Sequence, residues 1–148
     1  MAGSKIQLFI PDASTVVKWF ISEEHAEKAR ELKKRYTDGR INLLSPTLLE
    51  YETINALRFH PIVKLSREEI HTALAALRQM AITLEVPEGA WMKAIELSIE
   101  EGISIYDATY LALAKTSNGK MITSDARLVQ KLSRSAKGDV ILLRDLTF

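Results

Sequence analysis

Residues 107–125 read DATYLALAKTSNGKMITSD, and their interpretation decides the fold. Asp107 to Thr116 is dense in Ala and Leu and predicts a helix. Asn118-Gly119 closes it with a turn. Met121-Ile122-Thr123 is a short apolar run suited to a buried strand, and a second helix follows from Asp125 to about Leu132. Helix, strand and helix in so short a span is the rhythm of an α/β layer fold with a parallel sheet.

The same rhythm extends outward from this stretch. Downstream, Val140-Ile141-Leu142-Leu143 reads as a last strand. Upstream, Pro87-Glu88 opens a helix that runs to Glu101 and stops at Gly102, preceded by an alternating strand, Ile82–Val86. Ser66-Arg67-Glu68-Glu69 has the capping-box pattern and starts a helix to about Met80. Ser45-Pro46 predicts another helix start, with Ser at the N-cap and Pro in the first turn, ending near Phe59 because His60-Pro61 disfavours continuation. Before it come a strand at Ile41–Leu44, a turn at Asp38-Gly39, helices at Glu24–Tyr36 and Ala13–Ile21, and an opening strand at Ile6–Ile10 that ends in Pro11-Asp12. No internal repeat and no Pro-, Gly- or Ser-rich linker interrupts the pattern, so residues 1–148 are expected to form one domain.

Composition narrows the chemistry. With 47% hydrophobic residues in 148, the chain can bury a full core. No cysteine is present, which excludes a disulfide framework, thiolate metal ligation and a cysteine nucleophile. No apolar run is long enough to span a membrane, and Met1-Ala2-Gly3-Ser4-Lys5 lacks the apolar core of a secretory leader. A cytoplasmic location is the expectation. The net charge of +1 carries no whole-protein field for nucleic acid, so any such affinity must come from local patches.

The acids stand out by position. In open parallel sheets ligands bind outside the carboxyl ends of the strands. Asp12 follows the first strand, Asp125 follows Met121–Thr123, and Asp107 lies at a helix start that can reach the same edge. Each Asp taken alone reads as a helix N-cap. Glu52 changes the balance. On a helical wheel its helix gathers Leu48, Leu49, Tyr51, Ala56 and Phe59 into one apolar arc, with Glu52 in the middle of it and Glu50 on the opposite side. A carboxylate turned inward needs a partner. That partner is either a structural Arg or Lys, or a metal ion. Two like charges about 4 Å apart repel by roughly 4 kcal/mol at an effective dielectric of about 20, so four acids at one sheet edge make sense around a cation. Oxygen-only ligation, with no Cys and no His at ligand spacing, suits Mg2+ or Mn2+ rather than zinc.

Four stretches resemble, in order, the signatures of the PIN-domain family: Asp12-Ala13-Ser14-Thr15-Val16-Val17-Lys18-Trp19-Phe20, Glu52-Thr53-Ile54-Asn55-Ala56-Leu57, Tyr106-Asp107-Ala108-Thr109-Tyr110-Leu111-Ala112-Leu113-Ala114 and Thr123-Ser124-Asp125-Ala126-Arg127-Leu128. Within it, the chain is most similar to the VapC-like toxins of toxin–antitoxin pairs. The resemblance implies a three-layer α/β/α sandwich around a parallel sheet, a homodimer, and Mg2+- or Mn2+-dependent endonuclease activity on RNA under the control of an antitoxin protein. It carries the acidic site onto Asp12, Glu52, Asp107 and Asp125, with Ser14, Asn55 and Thr123 as supporting polar residues. Glu50 lies two residues from Glu52, but the spacing to Asn55 and Leu57 selects Glu52.

On this reading Asp12 and Asp107 are the principal metal ligands, and Glu52 and Asp125 complete the set directly or through water. Lys115, Lys120, Arg127, Lys131, Arg134 and Lys137 are concentrated near the last two signatures. Arg127, Lys115 and Lys120 are the candidates for RNA contacts, against the plainer reading of a solvated helix face. Trp19, Phe20, Phe59 and Trp91 read as packing or dimer contacts, and His25, His60 and His71 as surface or turn residues. Arg30, Lys33, Lys34, Arg35 and Arg40 form a solvated basic run. Val16, Val17, Phe20 and Leu65, with the helix from Ser66, are expected to offer an apolar surface to an antitoxin or a second subunit. A silent scaffold of the same fold would have lost an acid, and all four are present. A receiver-like domain would carry adjacent acids after its first strand, where this chain has Ala13 and Ser14. A nuclease of DNA flaps or housekeeping RNA remains the other catalytic reading.

Overall fold

The computed structural model describes residues 6–148; Met1–Lys5, where the leader was sought, lie outside them. Strand β1 (Leu8–Pro11) runs into helix α1 (Ala13–Val16), which tightens into a 3-10 turn at Val17–Trp19. Helix α2 (Ala26–Thr37) leads to β2 (Asn42–Leu43), β3 (Ser45–Pro46), α3 (Leu48–Arg58) and α4 (Arg67–Gln79). Next come β4 (Thr83–Leu84), α5 (Glu88–Glu101) and α6 (Ile105–Thr116). The chain finishes through β5 (Lys120–Thr123), α7 (Ala126–Lys131), α8 (Arg134–Lys137), β6 (Val140–Leu142) and a 3-10 turn at Leu143–Asp145.

A four-stranded sheet in the order β2-β1-β5-β6 is flanked by these helices, and every pairing in it is parallel. Strands buried on both faces read as continuous apolar runs, and Met121 and Ile122 at the centre are almost fully buried. Helix α6 is buried on all sides from Ala108 to Ala114, which is why its sequence shows no polar stripe. It packs along α5 and reaches β1, β3 and β5. Gly119 lets β1 and β5 close on each other: a Cβ there would meet Ile10 Cδ1 at 2.5 Å and the Leu8 carbonyl at 2.9 Å. The predicted capping box is present, with Ser66 Oγ accepting from Glu69 N–H at 3.1 Å and Glu69 Oε1 accepting from Ser66 N–H at 2.9 Å. Helix α5 ends as expected at Gly102, whose φ is 66°.

Several expectations give way to tertiary pairing. Ser45-Pro46 is a strand, not a helix start. It pairs in parallel with β4 in a separate two-stranded sheet, Ser45 N–H donates to Ile82 O, and the Ser45 hydroxyl donates to Pro11 O at 2.7 Å. The helix therefore begins later, at Leu48. The strand expected at Ile82–Val86 shortens to Thr83–Leu84 and belongs to that small sheet. The helix expected over Ala13–Ile21 changes to 3-10 geometry after Val16. On α3 the buried stripe is Leu49, Thr53 and Leu57, while Tyr51 and Phe59 face outward, so the apolar arc drawn from the wheel was rotated. Trp91 is 42% exposed and so is not a core residue, which leaves it the dimer-contact half of its reading, whereas Trp19 is buried and its indole N–H donates to Ala29 O at 2.8 Å.

His60 is not a surface residue. It is buried, its Nδ1 accepts from the backbone N–H groups of Ile62 and Val63, and its Nε2 faces Glu23 at 3.1 Å. Val16 and Val17 are internal as well. Val17 and Ile21 form a second small core with Leu57 and Ala73; of the four residues expected to offer an apolar surface, Phe20 and Leu65 are half-open there, beside Ile54, Ala56, Val63 and Ile70.

Candidate active site

The site begins at two strand ends. β1 and β5 lie side by side where the connections diverge, β1 leading outward to β2 and β5 to β6 on the other flank. Such a switch point, at the carboxyl ends of parallel strands, leaves a crevice. Asp12 follows β1 and Asp125 follows β5 by one residue.

Asp12 is buried and heavily bonded. Its Oδ1 accepts from the Ser14 hydroxyl at 2.6 Å and from Thr15 N–H at 3.2 Å, and its Oδ2 accepts from the Thr123 hydroxyl at 2.5 Å. The Ser14 oxygen accepts in turn from Ser124 N–H at 2.8 Å, and the Thr123 oxygen from Asp125 N–H at 3.1 Å. Two hydroxyls thus stitch the β1 end to the β5 end. Asp125 Oδ1 accepts from Leu128 N–H at 3.1 Å. Asp12 and Asp125 are N-caps, as the plain reading of each had it, and they still share one crevice.

Asp107 is different. Ser104 caps α6, its hydroxyl accepting from Asp107 N–H at 3.0 Å, and Asp107 lies in the first turn rather than at the helix start. Its carboxylate is not used as the cap. Glu52 comes from α3, where it flanks the buried stripe and is half-buried. Its Oε1 accepts from the phenol of Tyr110 at 2.7 Å. The four acids line a single cavity of about 260 Å³ together with Ser14 and Asn55.

Their electrostatics agree with that convergence. Burial pushes Asp12 from 3.8 up to about 6, against the pull of Ser14, Thr123 and Thr15, and the Asp107 charge adds to the rise. Burial also raises Glu52, opposed by the Tyr110 hydrogen bond and assisted by Asp107. Asp107 is raised by burial and by Asp125, with Ser104 and Lys131 opposing. Burial, followed by the Glu52 charge, drives the Tyr110 phenol far above its ordinary range. Groups raised together in this way disfavour their own charge until a cation arrives.

The structural ion pair considered for Glu52 does not form among the described residues. Arg78 instead bonds Glu50, at 2.8 Å. Nor do any three carboxylates among the described residues stand close enough to ligate one ion unaided. A cation would draw side chains inward or take water as the remaining ligands. The donor set, all oxygen and mostly anionic, fits a hard divalent ion.

The basic candidates divide. Arg127 is exposed in the first turn of α7, two residues past Asp125. Lys115 is held by Asp139 at 2.5 Å, and Lys120 donates to Gly138 O at 2.5 Å. Lys120 opens β5, at the end opposite Thr123, so the structure does not gather these two lysines with the acids. Tyr110, which the sequence presents only as part of a motif, also borders the site. It lies three residues after Asp107 on one helix, a spacing that puts both side chains on one face.

Comparisons with known proteins agree with this geometry. The PIN domain matches residues 9–133. Ribonuclease VapC3 of Pyrobaculum aerophilum is 32% identical over 125 residues, covering 82% of this chain and 92% of that protein. The fold is similar to PAE2754 of Pyrobaculum aerophilum (TM-score 0.66, 21% identity, 94% of this chain and 90% of that one). It is also similar to VapBC2 of Rickettsia felis, solved bound to a DNA fragment from their promoter (TM-score 0.66, 10% identity, 92% and 97%). A match that runs from β1 to Ser133, the cap of α8, with an acid at each strand end that forms the crevice, establishes that this chain belongs to the PIN-domain family.

Proposed function

We propose that this chain is a metal-dependent endoribonuclease of the toxin kind, which hydrolyses RNA phosphodiester bonds at the crevice formed by Asp12, Glu52, Asp107 and Asp125. The observation that carries the reading is the convergence of four carboxylates from separate stretches of chain on one cavity, with no cationic side chain among the described residues paired to Glu52. Divalent-metal dependence is general among nucleases of this family. Asp12 and Asp107 would hold the ion, with Glu52 and Asp125 completing the set. Mg2+ or Mn2+ fits, and when bound would polarise the phosphate and acidify a water.

The chain's own residues prepare that chemistry. Ser14, Thr123 and Thr15 N–H fix both oxygens of Asp12, so its orientation is set before any ligand arrives. Asp125, held by its own cap, and Glu52, held by Tyr110, face the same space from opposite elements. One of the four carboxylates would also orient or deprotonate the attacking water. Arg127, exposed two residues past Asp125, is the candidate for a phosphate contact.

The partners follow the same reading. On α5, Trp91, Met92, Ile95 and Ile99 leave an exposed apolar stripe that supports a homodimer. A groove lined by Phe20, Leu65, Ala73 and Ala76, rimmed by Glu68 and Glu69, supports a cognate antitoxin protein with apolar and basic side chains. No helix of the described residues is long and apolar enough to cross a membrane, and action on cellular RNA would place the protein in the cytoplasm.

The test is cleavage of single-stranded and structured RNA by wild type and Asp12→Asn, with Mn2+ or with EDTA. Cleavage that needs the metal and vanishes in the variant supports the assignment. A fully active Asp12→Asn protein overturns it.

A further inference from the structure

Tyr110 is among the most buried large side chains of the molecule, yet its hydroxyl reaches the edge of the acidic cavity and donates to Glu52 Oε1 at 2.7 Å. A phenol is an uncommon neighbour in so apolar a helix. The side chains of Ala108, Leu111, Ala112 and Leu113 are apolar, the hydroxyl of the adjacent Thr109 is spent on Ile105 O, and the Tyr110 ring is almost fully buried. Glu52 is the reverse case: a half-buried side chain with three rotatable bonds, on a helix whose stripe of Leu49, Thr53 and Leu57 faces the core beside it. Left free, it would sample solvent. The rigid partner fixes the flexible one.

We propose that Tyr110 is a positioning residue: it binds one oxygen of Glu52 and leaves the other to meet a divalent cation, so that Glu52 serves as a one-oxygen ligand in a preset orientation. The inference rests on the metal-binding reading of the cavity. Two consequences distinguish it from a merely structural hydroxyl. Loss of the phenol oxygen must weaken the metal rather than only the fold, and the effect must run through Glu52. Partners that orient ligating side chains are worth about tenfold or more in metal affinity, because an unoriented carboxylate must be ordered at the moment of binding.

The experiment is isothermal titration of Mn2+ into the full-length wild type, Tyr110→Phe, Glu52→Gln and the double variant, with thermal melts in EDTA run alongside. Phe keeps the buried ring, and the melts verify that each protein is folded at the titration temperature. The proposal expects the Mn2+ dissociation constant to rise about tenfold in Tyr110→Phe and to change no further when the same substitution is made in Glu52→Gln. Equal Mn2+ affinity in wild type and Tyr110→Phe overturns the positioning role and leaves the metal site standing. Additive losses in the double variant also overturn it, since Tyr110 would then act by another route. A wild type that takes up no Mn2+ removes the metal reading itself, and this inference falls with it.

Discussion

Asp12→Asn should make the metal-free protein more stable, although it removes the central acid of the site. Raising a buried carboxyl from 3.8 to about 6 corresponds to about 3 kcal/mol. The sign is against the fold. Because the folded value lies above the unfolded one, the favourable contribution is fully present below about pH 3.8 and is lost as the pH rises through about 6. At about pH 7.5 the ionised Asp12 therefore costs the folded state about 3 kcal/mol. Asn keeps an acceptor for Ser14 and Thr15, but its amide replaces the oxygen that accepts from Thr123, a loss of about 1 kcal/mol. The net gain is about 2 kcal/mol, or about 4–8 °C in melting temperature for a chain of this size. Urea unfolding in EDTA at about pH 7.5 and about pH 5 measures it. At the lower pH only about half of the cost is present, so the difference between the proteins should shrink. Saturating Mn2+ should reverse the order, since binding at a hundred times the dissociation constant adds about 2.7 kcal/mol to the wild type alone. A variant less stable than wild type in EDTA at about pH 7.5, or a difference that does not change with pH, would refute this account of the buried acid.

Three further outcomes are expected. Gly119→Ala should destabilise by about 1–3 kcal/mol in urea unfolding, because the added methyl would meet Ile10 and the Leu8 carbonyl and force β1 and β5 apart. Arg127→Ala should weaken binding of a non-cleavable RNA and flatten its salt dependence by about one phosphate contact, while Lys120→Ala, at the far end of β5, should leave both unchanged. Ile95→Glu, in the exposed stripe of α5, should shift the protein to a smaller species in analytical ultracentrifugation without lowering its melting temperature by more than a few degrees.

What could be read in advance was whatever depends on local chemistry. Asn118-Gly119, Gly102 and the Ser66 capping box announce chain reversals and helix ends by backbone preference alone, and the structure places them there. Asp12 and Asp125 could be located because an acid directly after a buried apolar strand has few places to go. What could not be read depends on distant partners. Ser45-Pro46 carries a good helix-start signal, but its backbone is claimed by Ile82 and Leu84 and its hydroxyl by Pro11, none of them near in sequence. The α3 wheel misled because Tyr51 and Phe59 are apolar by type yet face outward, and Thr53 is polar by type yet buried; an averaged arc weights such residues wrongly. Lys115 and Lys120 cluster with the acids along the chain, but a strand separates its two ends in space, so nearness in sequence put them at the wrong edge.

The extended run from Asn42 to Pro46 has a mechanical meaning. Its first half is hydrogen-bonded to β1 and its second half to β4, with the Ser45 hydroxyl fastened to the last residue of β1. Helix α3 starts only two residues later. This short ribbon therefore acts as a gauge block: it indexes the helix that carries Glu52 against the strand that delivers Asp12, and any slippage between the two sheets would be transmitted straight into the spacing of those two acids.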